Sequence, residues 1–307
     1  MKILVAGHRG MVGRAIIRTA PDGAKIITTN QDLRDKREFQ KVLKENAPDV
    51  IILAAAKVGG IGANSINQSG FLLENLEIQN TVISSAVENQ IEKLVFLGSS
   101  CIYPRMASQP ISETSLLTGP LEPTNEGYAL AKISGIKLIE ALYKEQGFQY
   151  FSLMPTNLYG PHDNFDLVTS HVPAALMRKF HEAKAGGLEF VTVWGSGRPK
   201  REFMHVDDMA RACWHLLNQE VGGELINIGT GEDVSIEEFA TLIASIIGYK
   251  GSIIYDKSKP DGTPRKLLDV SKAHSFGWKH QIPLQQGLDQ TYAWFLDALT
   301  RKEVRGY

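Results

Sequence analysis

The 307-residue chain is long enough to bury a large core as one or two domains, and its composition, 43% hydrophobic and 22% charged, is that of an ordinary globular protein. A formal net charge of −1 excludes an electrostatic hold on nucleic acid or on an anionic membrane. Two cysteines, Cys101 and Cys213, are too few for a disulfide framework or a CxxC metal site, and the eight histidines lack zinc-ligand spacing, so the expectation is a metal-free protein of a reducing cytoplasm.

The first apolar run, KILVAG, is broken by His8-Arg9-Gly10 and is too short for the core of a secretion signal. No apolar stretch reaches the length of a membrane span. Runs rich in β-branched residues and bounded by Gly, Asn or Pro predict strands at KILVAG, KIITT, VIILAAA, KLVFLGSS and YFSLMPTNLYG. Helical patterns lie between them at residues 11–20, 35–46, 69–90 and 127–146. This alternation predicts an α/β fold of the Rossmann type, a doubly wound parallel sheet with helices on both faces. After Gly160 the rhythm changes to a basic helix, HVPAALMRKFHEAKA, and a strand, VTVWGSG. EFMHVDDMARACWHLLN and ELINIGT resume the alternation, and the remainder reads as short elements ending in two tryptophans. The expected division is a dinucleotide-binding domain of residues 1–160 plus about 203–230, with a smaller discontinuous lobe of about 161–202 plus 231–307.

Gly7-His-Arg-Gly10-Met-Val-Gly13 follows the first strand and opens a helix, with spacing G-x-x-G-x-x-G. Glycines there permit a tight turn and close approach of a pyrophosphate to a helix N-terminus. A carboxylate at the end of the second strand would bind a ribose 2′-hydroxyl and repel a 2′-phosphate. Thr29 and Asn30 stand there instead, and Arg9 can reach a phosphate, which leans toward NADP; Asp32 keeps NAD open. Further along, Tyr128 and Lys132 have Y-x-x-x-K spacing in a helical pattern, which puts phenol and ammonium on one face. A nearby ammonium lowers a phenol's pKa, as general acid–base work requires. Ser99, at the end of an intervening strand, can donate to the carbonyl oxygen that Tyr128 protonates. Together they predict hydride transfer to or from a sugar or alcohol carbon.

With these residues in view the chain resembles the extended short-chain dehydrogenases/reductases and, within them, the GDP-L-fucose synthase family of 3,5-epimerase/4-reductases. The motifs that carry the resemblance are AGHRGMVG, LAAAKVGGI, FLGSSCIYP, LEPTNEGYALAKISGIKL, MPTNLYGPHDNF, SHVPAALMRKFHEA, VWGSG, REFMHVDDMA and KPDGTPRKLLD. The resemblance implies an NADPH-dependent enzyme that turns GDP-4-keto-6-deoxy-D-mannose into GDP-L-fucose. Its hydride-transfer group falls on Ser99, Tyr128 and Lys132, its epimerisation pair on Cys101 and His171, and its nucleotide-sugar contacts on Lys179, Trp194, Arg201, Asp261 and Lys266. Implied cofactor contacts are Gly7, His8, Arg9, Gly10, Met11, Val12 and Gly13, then Asn30, Asp32 and Leu33, then Ala54, Ala55 and Ala56. They continue through Leu97, Gly98, Ser99 and Ser100, Tyr128 and Lys132, and Pro155, Asn157 and Leu158, to His171. The family often carries arginine where Asn30 stands, so the NADP preference is expected to be modest.

A 4-keto sugar has acidified C–H bonds at C3 and C5, because the carbonyl oxygen stabilises the enolate. Inversion needs a base on one ring face and an acid on the other. Cys101 supplies the base if its thiolate is favoured, and His171 the acid. Taken alone, Cys101 would read as the filler of a small apolar gap; beside Ser99 at a strand's carboxyl end it reads as catalytic. His205 reads as an oriented, satisfied structural histidine, Asp207-Asp208 as a helix cap, and Arg178, Lys179 and Lys184 as a solvated helix face that the resemblance interrupts at Lys179.

Rival readings are the same chemistry on another GDP-4-keto-6-deoxy sugar, such as a heptose or colitose precursor, and a non-enzymatic dinucleotide sensor. A 4,6-dehydratase would want a carboxylate pair where Ser100-Cys101 stands. The resemblance also implies a homodimer through 69–90 and 127–146.

Overall fold

The computed structural model describes every residue except Pro260, which falls within the KPDGTPRKLLD motif, and the side chain of Ile61. In chain order the elements of the first half are β1 (Lys2–Ala6), α1 (Met11–Arg18), β2 (Lys25–Thr28), α2 (Lys36–Asn46), β3 (Val50–Leu53), α3 (Ile61–Ile66), α4 (Gln68–Glu88), β4 (Lys93–Leu97), α5 (Glu126–Gln146) and β5 (Gln149–Pro155). The second half adds β6 (Asn157–Tyr159), α6 (Val172–Ala185), β7 (Phe190–Trp194), β8 (Lys200–Arg201), β9 (Phe203–His205), α7 (Val206–Leu216) and β10 (Leu225–Ile228). It ends with β11 (Val234–Ser235), α8 (Ile236–Ile247), β12 (Ser252–Asp256), β13 (Arg265–Lys266), α9 (Ser271–Ser275) and α10 (Leu284–Thr300).

Six strands form one parallel sheet in the order β10-β5-β4-β3-β1-β2. The strands read as unbroken apolar runs because both faces are covered. Ile3, Val5, Val50, Ile52, Val95 and Leu97 pack with α1 and α7 on one face. Their neighbours Leu4, Ala6, Ile51, Leu53, Leu94 and Phe96 pack with α2, α4 and α5 on the other. Each alternation follows from the two-residue period of a strand, and each fully buried branched chain contributes about 1.5–3 kcal/mol. A third core joins α6, α8, α10 and β7 through Phe180, Val191, Phe203, Phe239 and Phe295.

YFSLMPTNLYG does not make one strand. Pro155 has no N–H to continue a ladder, and at Thr156 the chain leaves the sheet, its hydroxyl donating to the Glu202 carbonyl at 3.1 Å. β6 then pairs with β9 in a separate parallel ribbon. The end of the chain is not made of short elements only, because α10 runs for 17 residues and buries Leu288, Thr291, Phe295 and Ala298 on one stripe. The cap of α7 is also not an aspartate. His205 Nδ1 accepts from Asp207 N at 3.2 Å, while Asp207 pairs with Arg18 and Asp208 accepts from Gln281 N and Ile282 N. His205 is therefore oriented but only half satisfied, since its buried Nε2 has no partner among the described residues.

Candidate active site

The sheet's carboxyl edge carries the sequence-predicted residues on successive strand ends. After β1, Gly7 holds φ +101°, and a Cβ on it would lie 2.5 Å from the Ala55 nitrogen. A Cβ on Gly13 would collide with the Gly7 carbonyl. Only glycine lets the turn, α1 and the Ala54–Ala56 segment close up this way. Gly10, the residue before α1, makes no side-chain cap, so the amides of Met11, Val12 and Gly13 are open toward an anion. This cradle fits the pyrophosphate of a dinucleotide.

At the end of β2, Asn30 and Asp32 are exposed. Arg34 donates to the two Asp32 oxygens from Nε at 3.0 Å and Nη2 at 2.7 Å, holding that carboxyl at about 2. The negative charge that favoured NAD is thereby matched by a neighbouring cation. Arg34 escaped the sequence reading, although D-x-R spacing signals such a pair. His8 is held below the usual histidine range by burial first and then by the charges of Arg9 and Arg14.

β4 leads to the residues expected to react. Past Leu97 and the buried Gly98, Ser99 caps a single 3₁₀ turn, Ser100–Ile102, its hydroxyl accepting from Cys101 N at 3.4 Å. Cys101 is 5% exposed and free. Lys132, 3% exposed on α5, donates to the Leu97 carbonyl at 2.8 Å and lies 5.7 Å from the Tyr128 ring centroid. Sequence spacing predicted that this ammonium would lower the Tyr128 pKa. Instead burial pushes the phenol up, with Cys101 adding to the effect, and burial lowers the Lys132 ammonium to about 8. Burial governs both groups, and the ammonium is engaged by the Leu97 carbonyl.

Burial also pushes the Cys101 thiol up, and the largest opposing influence is the Lys266 ammonium, followed by Ser99 and Lys132. Lys266 comes from the second half of the chain. In the parallel pair β8–β13 it stands opposite Arg201. Arg201 donates to the Asp261 carbonyl at 3.4 Å, and the Asp261 carboxylate accepts from Ser196 N at 2.6 Å and Ser196 Oγ at 2.8 Å. Trp194, 60% exposed, has the Lys179 and Lys259 ammoniums 5.8 and 5.3 Å from its ring centroid. Asp261, Arg201 and Lys266 are thus linked through the β8–β13 pair, Asp261 reaches back to Ser196 beyond Trp194, and the Lys266 charge acts on Cys101.

His171 precedes α6 and stays open to solvent on one side, while the protein around it holds its imidazole below the usual range. Its loop reaches the sheet edge through Gly60, whose N donates to the Thr169 carbonyl at 3.1 Å. No hydrogen bond joins the His171 ring to another site residue among the described residues. Of the basic residues on α6, Lys179 donates to the Thr192 carbonyl at 3.2 Å, Lys184 to Ile247 at 2.6 Å and Arg178 to Phe165 at 3.1 Å. The helix face expected to be solvated is pinned instead.

Glu202 was missed entirely. It is 0% exposed, and its carboxylate accepts from Thr230 N at 2.6 Å, Gly231 N at 2.8 Å and Leu268 N at 3.0 Å. Burial pushes it up while those amides pull the other way. It ties the end of β10 and the segment after β13 to the residue beside Arg201. An acidic letter in REFMHVDD gives no sign of that burial. Among the described residues no cluster of His, Cys, Asp and Glu could hold a metal, and no helix is long and apolar enough to cross a membrane.

Comparison with known proteins agrees with this geometry. Residues 3–229 match the NAD dependent epimerase/dehydratase family. A putative GDP-L-fucose synthase 2 of Arabidopsis thaliana is 51% identical, covering 98% of this chain and 94% of its own length. The GDP-L-fucose synthase of Escherichia coli K12 is 50% identical, with 96% and 97% covered. A GDP-L-colitose synthase of Yersinia pseudotuberculosis is 42% identical, with 97% and 98% covered. Among solved structures, a GDP-6-OMe-4-keto-L-xylo-heptose reductase from C. jejuni superposes with TM-score 0.90 at 33% identity, with 96% and 97% covered. A GDP-mannoheptose C4 reductase from Campylobacter jejuni with NADP bound gives 0.86 at 33% identity, with 96% and 98% covered. On its matching residues, and at these identities over nearly its whole length, the chain belongs to the NAD dependent epimerase/dehydratase family and, within it, to the GDP-L-fucose synthase family.

Proposed function

We propose that the protein converts GDP-4-keto-6-deoxy-D-mannose to GDP-L-fucose by 3,5-epimerisation and 4-reduction. The observation that carries this reading is the placement of Cys101. It lies beyond Ser99 at the carboxyl end of β4, where the Lys266 and Lys132 ammoniums offset part of the burial that raises its thiol. A reductase alone has no use for that group. The Cys101 thiolate takes the proton from C3 while His171 returns one from the other face; Cys101 then releases its proton to solvent and His171 regains one before the pair inverts C5 in the same way. Ser99 and Tyr128 hold the enolate oxygen, and Tyr128 protonates that oxygen as C4 is reduced. NADPH, when bound, supplies the hydride. The Gly7–Gly13 turn would hold its pyrophosphate, and Arg9, Asn30 and Arg34 would face its adenosine end. The NADP-bound reductase of the same fold supports that choice.

Trp194, Lys179, Arg201, Asp261 and Lys266 would bind the GDP moiety. The guanidinium of Arg201 suits diphosphate oxygens, and the Trp194 face suits a base. Residues 1–160 plus about 203–230 would hold the dinucleotide and about 161–202 plus 231–307 the nucleotide sugar, with the substrate between the two lobes. A homodimer fits the exposed Leu73 of α4 and Leu130, Leu138 and Tyr143 of α5, and a cytoplasmic setting fits two buried free thiols.

A second reading, the same chemistry on another GDP-4-keto-6-deoxy sugar, is favoured by the colitose and heptose enzymes among the relatives. Incubation with GDP-4-keto-6-deoxy-D-mannose and NADPH, followed by NMR of the sugar, is expected to give the L-fuco product. A product still in the D-series would remove the epimerase half. No turnover of this substrate would favour the second reading.

A further inference from the structure

Among the described residues no hydrogen bond, ion pair or ring contact holds the His171 ring, so its place depends strongly on its backbone. That backbone is fixed from an unexpected direction. The loop between β6 and α6 buries Phe165, 0% exposed, and Phe165 N donates to the Arg305 carbonyl at 2.9 Å. Arg178, one turn and a half into α6, donates through Nη1 to the Phe165 carbonyl at 3.1 Å and to the Gly306 carbonyl at 2.6 Å. Its guanidinium carbon also lies 4.5 Å from the centroid of the Tyr307 ring, which meets Phe295 edge-on at 5.8 Å. Gly306 sits at φ +77°, and a Cβ there would come within 2.5 Å of Asn164 Oδ1 and 2.7 Å of Asp166 N. The chain at Gly306 and the loop at Asn164–Asp166 are therefore in a close contact that only glycine allows.

From that contact the loop is stiff up to the histidine. Asp166 Oδ1 accepts from Val168 N at 3.1 Å and Thr169 N at 2.8 Å, and the Asp166 carbonyl accepts from Ser170 N at 2.9 Å. Thr169 in turn holds Gly60 at the sheet edge.

We propose that residues 303–307 and Arg178 form a clamp that positions His171 for proton return to the sugar. The clamp acts through the Phe165–Ser170 loop and touches neither substrate nor cofactor, so Arg178 is a positioning residue. The inference rests on the proposed role of His171. A misplacement of about 1 Å costs up to about a hundredfold at a reacting group.

The test uses the full chain carrying Gly306→Ala, which pushes residue 306 off the loop, and separately Arg178→Ala and Arg178→Lys. Three quantities are read: deuterium entry from solvent at C3 and C5 of GDP-4-keto-6-deoxy-D-mannose, amide hydrogen exchange over residues 163–171, and amide hydrogen exchange over the six-stranded sheet as the control for global loosening. Gly306→Ala and Arg178→Ala are expected to slow deuterium entry about tenfold, with faster amide exchange in the loop and native protection in the sheet. Arg178→Lys should recover part of the rate, since an ammonium still reaches a carbonyl. Native-rate deuterium entry in both variants would overturn the clamp, and so would a loss of amide protection spread equally through the sheet. If the native protein exchanges neither proton, the functional reading fails instead. Loop amide exchange then decides the clamp alone: unchanged protection in Gly306→Ala rejects it, and selective loosening retains it.

Discussion

Cys101 is asked to be a base in a site that disfavours its charge. Burial raises the thiol, and Lys266 offsets part of that penalty. The direction of a substitution follows. Lys266→Ala removes the largest stabiliser of the thiolate, so the Cys101 pKa rises and less base is present at neutral pH. The pH at which deuterium entry switches on should move upward, with a rate loss at pH 7 that shrinks as pH is raised. A uniform loss at every pH would instead make Lys266 a substrate contact only. Tyr128 has a different task. Tyr128→Phe keeps the ring that packs near Lys132 but deletes the proton donor, so NADPH binding should survive while C4 reduction falls about 10²–10⁴-fold. Near-native NADPH oxidation by that variant would show that another group is the acid.

At the scale of elements, what was legible in the sequence is what has a local period. The alternating runs of β1, β3 and β4 and the helices α2, α4 and α5 show themselves through spacing, as does the Gly7–Gly13 turn through its glycines. What stayed hidden depends on partners far away in the chain. The break between β5 and β6 becomes visible only once β9 and Glu202 are in place, and Lys266 meets Cys101 only because β13 pairs with β8. Cys101, His171, Lys179, Arg201 and Asp261 were named through resemblance, not through spacing. Glu202 illustrates the same limit. Glu202→Ala leaves the buried Leu268 N and the part-buried Thr230 N and Gly231 N without their acceptor and should cost about 1–3 kcal/mol. Urea unfolding should show this as a lower midpoint at unchanged slope; a loss below about 1 kcal/mol would mean the amides find other partners. Arg34 belongs to the loop after β2. Arg34→Ala uncovers the Asp32 carboxylate, so the ratio of kcat/KM for NADPH over NADH should fall by about threefold, whereas Asn30→Arg should raise it. Equal or better use of NADH by the native protein would contradict the cofactor assignment.

For the whole molecule, the two halves of the chain divide the work. The six-stranded sheet carries the Gly7–Gly13 turn, Ser99 and Cys101 at its strand ends with Lys132 of α5 bonded to Leu97, and the second half pairs Lys266 with Arg201 and bonds Arg201 to Asp261. Epimerisation and reduction then share one ketone and one enclosure but use separable side chains. That separation is the central claim, and Cys101→Ser tests it. The hydroxyl keeps size and polarity but is far too weak an acid to supply a ready base. With GDP-4-keto-6-deoxy-D-mannose in deuterated water, the variant should incorporate no deuterium at C3 or C5 while still binding NADPH and slowly reducing the unepimerised ketone to a D-series sugar. Deuterium entering both carbons at the native rate would return Cys101 to a filler of the core and leave the epimerase without its base.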